Sequence, residues 1–463
     1  MRCLITGRFA TVVAISLWLP EARGEDLNDA WSQAIGLNAG LQARELDTSA
    51  AGMNLRAARS ARLPTVSLTS LTAFLSQSPQ IRVPASLAAA GAGAGAAAFP
   101  STFPALGPNQ SVIPFEFVNI SQPLYQGGRI RNNIAASAAG VKYQKTEEFR
   151  TVLDLKLTVA EAYVGVLRAR RNLDVSLSNV AQLASFLRDV TNRKNEGRAT
   201  RNEELAAEVS LANARLQEIT DRKNLLAAWA TYNRYLCRPP DLMVDLQEIV
   251  AGPPSPADAL MAHSLAHDKT SITLEEPIAM DLTSRAIRGR PELQGLAEQA
   301  NQSDSLAKVT MAAIKPHVSF NASYIEVADF GFTNPNIFAG SFALSWTLFD
   351  GGQTRRRAEA QRLQAESFVK QRVDASADIA LQVRTRMLDV DESRQRVIVS
   401  GAAVGSANEN IKVVTERYRQ GLSIYTEVLD AENRRVQSLN GYYAATYDNA
   451  LARFRLRRAV GDL

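Results

Sequence analysis

The chain has 463 residues, with 52 Lys and Arg against 47 Asp and Glu, 46 % apolar and 21 % charged residues, 3 His and 2 Cys. This composition excludes a disordered or collagen-like chain, and a net charge of +5 from dispersed basic residues argues against a nucleic-acid partner. Two cysteines exclude a disulfide scaffold or Cys-rich metal site, and three histidines disfavour a His-based metalloenzyme. At the N-terminus, Arg2 and Arg8 precede an apolar run over residues 9–19, then Pro20 and Ala22-Arg23-Gly24. This is the pattern of a secretory signal peptide cut after Gly24. The alternative, an inner-membrane anchor, needs about 20 apolar residues. Cys3 leaves with the peptide, no cysteine follows the cut to carry a lipid, and Cys237 alone cannot form an intrachain disulfide. Beyond Gly24 no run reads as a transmembrane helix. Residues 85–99 are Ala/Gly-rich between Pro84 and Pro100 and read as a loop. A membrane location therefore requires a closed β-barrel.

A helix leads into a first strand with Val66 and Leu68, and after the loop a second carries Val118, Ile120 and Leu124. In the second half, Val318, Phe320, Ala322 and Tyr324 alternate with His317, Ser319, Asn321 and Ser323. Phe342, Leu344, Trp346 and Leu348 alternate with Ala343, Ser345 and Thr347. Apolar-out, polar-in segments of about 10 residues are the signature of transmembrane strands. A half-buried strand of a soluble sheet gives the same pattern. The signal peptide and the flanking Phe115, Tyr125, Trp346 and Phe349 favour the barrel. Two strands per half make four, whereas a closed barrel needs about 8, so several chains must assemble it.

Residues 128–196 contain no proline, and about 65 helical residues would extend roughly 100 Å. Val152, Leu155, Val159, Ala162, Val166, Ala169 and Leu173 form a heptad stripe that resumes at Val180, Leu183, Leu187 and Val190, with Ser176 interrupting it. Val383, Val390, Val397, Val404 and Ile411 recur every seventh residue in the second half. Such repeats predict supercoiled, coiled-coil-like packing. A soluble periplasmic coiled coil would show them too. Each long helix ends at a glycine, Gly197 or Gly421, and a second helix returns to about Cys237 or Leu463.

The chain is internally duplicated. Leu124-Tyr125-Gln126-Gly127-Gly128 matches Leu348-Phe349-Asp350-Gly351-Gly352 at an offset of 224, as do Gly197 with Gly421, Glu203 with Glu427, Leu205 with Leu429 and Glu208 with Glu432. Upstream, Ile35, Leu41 and Pro64 match Ile287, Leu293 and Pro316 at an offset of 252. The first half thus carries 28 extra residues between Pro64 and Gly127, in the interval that holds the Ala/Gly-rich loop. We divide the chain into a signal peptide (1–24), a first repeat (25–239), a linker or equatorial region (240–280) and a second repeat (281–463).

These duplicated Gly-Gly junctions resemble those of the TolC-like outer-membrane channel (outer-membrane efflux protein) family. So do Tyr418-Arg419-Gln420-Gly421-Leu422 followed by Glu427-Val428-Leu429-Asp430-Ala431-Glu432, with the first-half echo Glu196-Gly197-Arg198-Ala199-Thr200-Arg201-Asn202-Glu203-Glu204-Leu205. The resemblance covers essentially all of the mature chain. It implies a mixed α/β membrane protein: a homotrimer whose four strands per chain make a 12-stranded outer-membrane barrel, continued by a long periplasmic α-helical barrel. It further implies a passive conduit in contact with outer-membrane lipid. Its periplasmic mouth would dock a membrane-fusion (adaptor) protein and an inner-membrane ABC or proton-driven transporter. By the same resemblance Glu427, Asp430 and the gate tyrosine Tyr418 line the pore constriction, and Asn202 and Glu203 are the first-repeat gate partners. The tips at Gly197, Gly421 and Leu422 are the adaptor-docking points. Ser423 stands where a well-known member of the family carries a basic gate residue. For cargo, the missing lipid-bearing cysteine leans towards type I secretion of a protein such as a toxin; small-molecule or multidrug efflux is the alternative. An adaptor-like coiled-coil protein is the competing class, but it would carry one hairpin and a compact β-domain.

Two of these assignments also have a residue-level argument. Glu427 and Asp430 are three apart and share a helix face. Repeated around an axis they would make a ring of carboxylates that attracts cations; the plain alternative is a solvated helix surface. Gly197 and Gly421 suit the positive φ of a helix end, and Gly127, Gly128, Gly351 and Gly352 suit the bend from strand to helix.

No enzyme or cofactor pattern is found. His263 and His267 could share a helix face, but Ser264 stands where a zinc protease has its Glu, and no third ligand is near. There is no phosphate loop and no nucleophile elbow.

Overall fold

The computed structural model describes residues 24–74, 80–82, 102–104, 112–249, 276–327 and 336–463. The signal-peptide segment, the 85–99 loop, most of the linker and both His263 and His267 lie outside them. The first repeat runs α1 (Leu27–Leu37), α2 (Ala39–Ser60), β1 (Thr65–Phe74), β2 (Gln80–Arg82), β3 (Thr102–Pro104), β4 (Val112–Gln126), α3 (Arg129–Asn195) and α4 (Arg201–Tyr235). The second runs α5 (Glu276–Gly289), α6 (Pro291–Ala312), β5 (His317–Val327), β6 (Asn336–Ser345), α7 (Gln353–Arg419) and α8 (Tyr425–Val460). No described helix is long and apolar enough to cross a membrane. The chain forms two compact units, one of residues 43–150 with 290–378, the other of residues up to 42, 151–289 and 379–463.

The single leading helix expected in each repeat is two helices. Asn38 (φ −69, ψ 114) breaks the first, and its side-chain oxygen accepts from the Leu41 N–H at 3.1 Å. Arg290 (φ −73, ψ 127) breaks the second, because Pro291 at the next helix's start excludes a helical residue before it. The two breaks are related by the offset of 252, so different chemistry preserves one kink.

In the first unit the sheet order is β1-β4-β5-β6, every pair antiparallel. Strands β1 and β6 are its edges. One face gathers the apolar positions: the Phe320 and Phe342 rings lie 5.2 Å apart, those of Tyr324 and Phe338 4.8 Å apart. On the other face Ser323 donates to Asn119 at 3.0 Å. A bulge between Pro123 and Tyr125 passes the place opposite Val318 from Leu124 to Tyr125. Trp346 and Leu348, expected in the last strand, lie beyond it. The ladder stops at the pair His317–Ser345, where β5 begins. The Trp346 indole instead donates to the Ile314 carbonyl at 3.1 Å. Strands β2 and β3, within the interval that holds the extra residues of the first repeat, pair antiparallel with each other.

In the second unit the heptad stripe is a packing seam: Leu155, Val159, Val166, Leu183 and Val190 are buried. Ser176, its interruption, is buried as well and donates to the buried Asp221 carboxylate of α4, which also accepts from Gln217 at 3.1 Å. A polar pair within an apolar seam selects one register. A second stripe on α3, with Leu153, Ala160, Tyr163, Val164 and Leu167, is also buried, so this helix packs on two sides. Ion pairs one heptad apart tie α3 to α8: Asp154–Arg458 at 2.7 Å, Glu161–Arg455 at 2.8 Å, and Arg168–Asp448 with the charges exchanged.

Glu25, the residue after the expected cleavage, is stitched into this unit. Its N–H donates to Asp245 at 2.8 Å, and its carboxylate pairs with Arg238 at 2.8 Å. The buried Tyr163 hydroxyl lies 2.8 Å from the Glu25 carbonyl and 2.7 Å from that of Gln247. Burial among the Asp26 and Glu25 charges pushes the Tyr163 phenol up. Tyr163→Phe therefore leaves buried carbonyls short of a donor and is expected to cost about 1–3 kcal/mol, read as a lower denaturation midpoint.

Candidate gate at the hairpin tips

Both tips are built alike. The Gly197 N–H donates to Lys194 at 2.9 Å and the Arg198 N–H to Arg193 at 2.7 Å; the Gly421 N–H donates to Tyr418 at 3.0 Å and the Leu422 N–H to Arg417 at 2.8 Å. These are the paired bonds of a helix closed by a left-handed residue, and Gly197 (φ 72) and Gly421 (φ 79) supply it. The tips then diverge. Thr200 caps α4 by accepting from the Glu203 N–H at 3.3 Å. No side chain caps α8; the Ser423 hydroxyl bonds instead to the Glu427 carboxylate.

Between the tips lies one apolar cluster. Leu183, Phe186 and Val190 of α3 and Ala207, Leu211 and Ala214 of α4 meet Ile411 and Tyr418 of α7 and Tyr425, Val428 and Ala431 of α8. The Tyr418 and Tyr425 rings are 5.8 Å apart. Arg193 locks the cluster. Its guanidinium lies 4.6 Å from the Tyr418 ring centre and donates to the Tyr418 and Arg419 carbonyls at 2.9 and 3.0 Å. A cation at the last carbonyls of a helix meets the negative end of its dipole, and its face-on contact with the ring adds cation–π attraction.

Glu204, 5 % exposed, accepts from Lys194 at 2.7 Å, from Thr191 at 3.3 Å and from Arg201. Lys194, then Arg201, hold its carboxyl below the usual range. The depressed pKa makes this anchor fully effective above the ordinary carboxylate pKa, and it is lost as the pH falls through the depressed value. Acidification below the usual carboxylate range is expected to speed proteolysis at the first tip, and Glu204→Gln to remove that acid dependence.

The acidic residues face elsewhere. Glu427 and Asp430 are exposed on one face of α8, opposite the buried Tyr425, Val428 and Ala431. Asp430 pairs with Arg434 at 2.8 Å, both side chains largely exposed. Tyr418, grouped with them as pore-lining, instead turns into the tip cluster at 9 % exposure, because its ring is the surface on which Arg193 and Tyr425 pack. Burial, then Glu203, pushes its phenol up, against the pull of Arg193. Asn202 is exposed, Glu203 half-buried, and Leu422 exposed at the second tip. Gly127, Gly128, Gly351 and Gly352 all have positive φ at the strand-to-helix junctions. Arg193 and Tyr425 escaped the sequence reading. Arg193 corresponds to Arg417 at the offset of 224, and a basic residue in the last turn of both helices was the available signal. Among the described residues no group of three His, Cys, Asp or Glu could hold a metal ion.

The sequence profile of the outer membrane efflux proteins matches residues 30–236 and 282–462. Outer membrane efflux protein BepC of Brucella suis biovar 1 (strain 1330) is 22 % identical over 349 residues, 75 % of this chain and 72 % of its own length. Among solved structures, CusC superposes with a TM-score of 0.75 at 14 % identity, covering 94 % of this chain and 92 % of its own. The outer-membrane channel OprN superposes with a TM-score of 0.73 at 16 % identity, covering 94 % and 90 %.

Proposed function

Because the chain belongs to the outer membrane efflux protein family, we propose that three copies form a channel that an adaptor and an inner-membrane pump open for export. The family's members are passive channels of the outer membrane, not enzymes, and this chain is one of them. The observation that carries the assembly is the open sheet: four strands, an apolar and a polar face, and two edges, β1 and β6, that are unpaired among the described residues. Four alternating strands leave these edges antiparallel to each other, so head-to-tail copies pair them and a closed ring abolishes them. Two copies would give eight strands, whose interior side chains fill; three give twelve and leave a lumen. Helix α4 supports the same conclusion. Its buried stripe of Ala207, Leu211, Ala214 and Leu225 is matched by an exposed one, Leu205, Val209, Leu216, Ile219 and Leu226, available to a neighbouring copy. Native mass spectrometry of the detergent-solubilised protein should give three chains; a monomer would overturn the assembly.

In this reading the Arg193 clamp holds the mouth closed at rest. Glu427 and Asp430 face the axis as a cation-attracting ring, and the exposed tips receive the adaptor. Small-molecule efflux is the cargo that the efflux relatives support. Type I protein secretion is the second reading, supported by Glu25 rather than a lipid-bearing cysteine after Gly24. Deletion of the gene should raise intracellular accumulation of a fluorescent drug; a lost extracellular protein with unchanged accumulation would select secretion.

A further inference from the structure

Helices α3 and α7 both break the dipole rule at their starts. Neither has an acidic residue in its first turn. Instead Arg129 and Arg131 open α3, and Arg355, Arg356 and Arg357 open α7, all exposed. Cations at a helix N-terminus oppose its positive end, and a local rule broken in both repeats marks a site selected for something other than stability.

These residues lie where the sheet ends. Arg62 stands three residues before β1, and its carbonyl accepts from Gln122 of β4 at 2.9 Å. Lys315 stands two residues before β5, against the junction glycine Gly127. No carboxylate pairs with any of these seven cations among the described residues. Asp350, an acid at the junction, is spent on its own helix, accepting from the Gly352 and Thr354 N–H groups at 2.9 Å each. Large apolar side chains share the level: Trp346, bonded to Ile314 beside Lys315, is 57 % exposed and Phe349 88 % exposed. Aromatics and cations together at the end of an apolar strand band are what a membrane interface selects.

We propose that this collar binds the phosphate groups of anionic phospholipids in the periplasm-facing leaflet of the outer membrane, with Trp346 and Phe349 among their glycerol and upper acyl groups. This rests on the reading that the sheet sits in that membrane. The collar sets the depth at which the barrel stops and the helices begin. The cations supply charge where the lipid phosphates lie; Arg129 donates to the neutral Gln126 side chain at 3.0 Å, so the anions that balance the collar come from outside the chain.

The test is native mass spectrometry of the purified full-length protein, titrated with dioleoylphosphatidylglycerol or dioleoylphosphatidylcholine. Each basic residue near an anionic surface is worth about fivefold in binding, so the wild-type protein should retain the phosphatidylglycerol preferentially, and less so as ionic strength rises. Arg355→Gln/Arg356→Gln/Arg357→Gln, which keeps helix-forming residues, should lower that preference by tenfold or more. A second variant, Arg62→Gln/Lys315→Gln, reads the same collar from other elements should the first fail to fold. Unchanged preference in a folded variant would overturn the proposal. So would unchanged lipid binding with altered anion conductance, which would place the arginines in the lumen. Failure of the wild-type protein to insert into bilayers of either lipid would overturn the barrel reading itself.

Discussion

Arg193→Ala is expected to open the closed channel, raising its mean conductance in a planar bilayer several-fold while the protein remains folded. The substitution removes two charged hydrogen bonds to the last carbonyls of α7 and the cation held over Tyr418. Such bonds contribute about 1.5–3 kcal/mol each when well buried, and the cation–π contact about 0.5–2 kcal/mol. The Arg419 bond is solvent-exposed, so screening lowers the sum to about 2–4 kcal/mol per chain. Even 2 kcal/mol shifts a two-state equilibrium about 30-fold, and three copies around one mouth would open together. The duplication supplies a control. Among the described residues Arg417, the counterpart one repeat away, reaches only its own Leu422 carbonyl at 3.4 Å, so Arg417→Ala should leave conductance unchanged. Arg193→Lys keeps the charge but loses the two-pronged geometry and should fall between. Equal effects at 193 and 417 would show that the loss acts through tip charge rather than the clamp.

Gly127→Ala is expected to be far more damaging than Gly351→Ala, although the two occupy the same place in their repeats. Both have positive φ, 57° and 64°, which costs a residue with a Cβ about 1–2 kcal/mol. Only Gly127 is also crowded. A Cβ there would lie 2.6 Å from Cβ of Lys315 and 3.0 Å from the Ala312 carbonyl, whereas nothing lies within 4 Å of one at Gly351. Overpacking against backbone adds about 1–3 kcal/mol. Gly127→Ala should therefore cost about 2–5 kcal/mol and reduce the yield of heat-resistant oligomer. Gly351→Ala should assemble with a modestly lower melting midpoint. Similar losses at both would mean that backbone conformation, not the approach of Lys315, governs the junction.

Features that repeat are the ones that were legible beforehand. Both 67-residue helices follow from proline-free heptads, the four strands from alternation, and the glycine turns from their pairing at one offset. Features that depend on contacts distant in sequence were not. The heptads revealed one face of α3 but not the second stripe through Tyr163, because a helix packed on two sides loses its single periodicity. Ser176 read as an interruption because its partner Asp221 lies 45 residues away. Trp346 and Leu348 continue the alternation of β6, but strand length is set by the partner, and β5 has no residue to offer them. At the gate, helix geometry put Glu427 and Asp430 on one face; that Tyr418 turns the other way and is held by Arg193 is a tertiary fact with no local signature.

Single-channel recording of the purified protein in a planar bilayer, beside Glu427→Ala/Asp430→Ala, tests the central claim most directly. A trimeric channel narrowed by an acidic mouth predicts small, cation-selective steps whose selectivity is lost in the double variant. Unchanged selectivity would return both carboxylates to the helix surface, and the absence of any steps from folded, trimeric protein would contradict the channel itself.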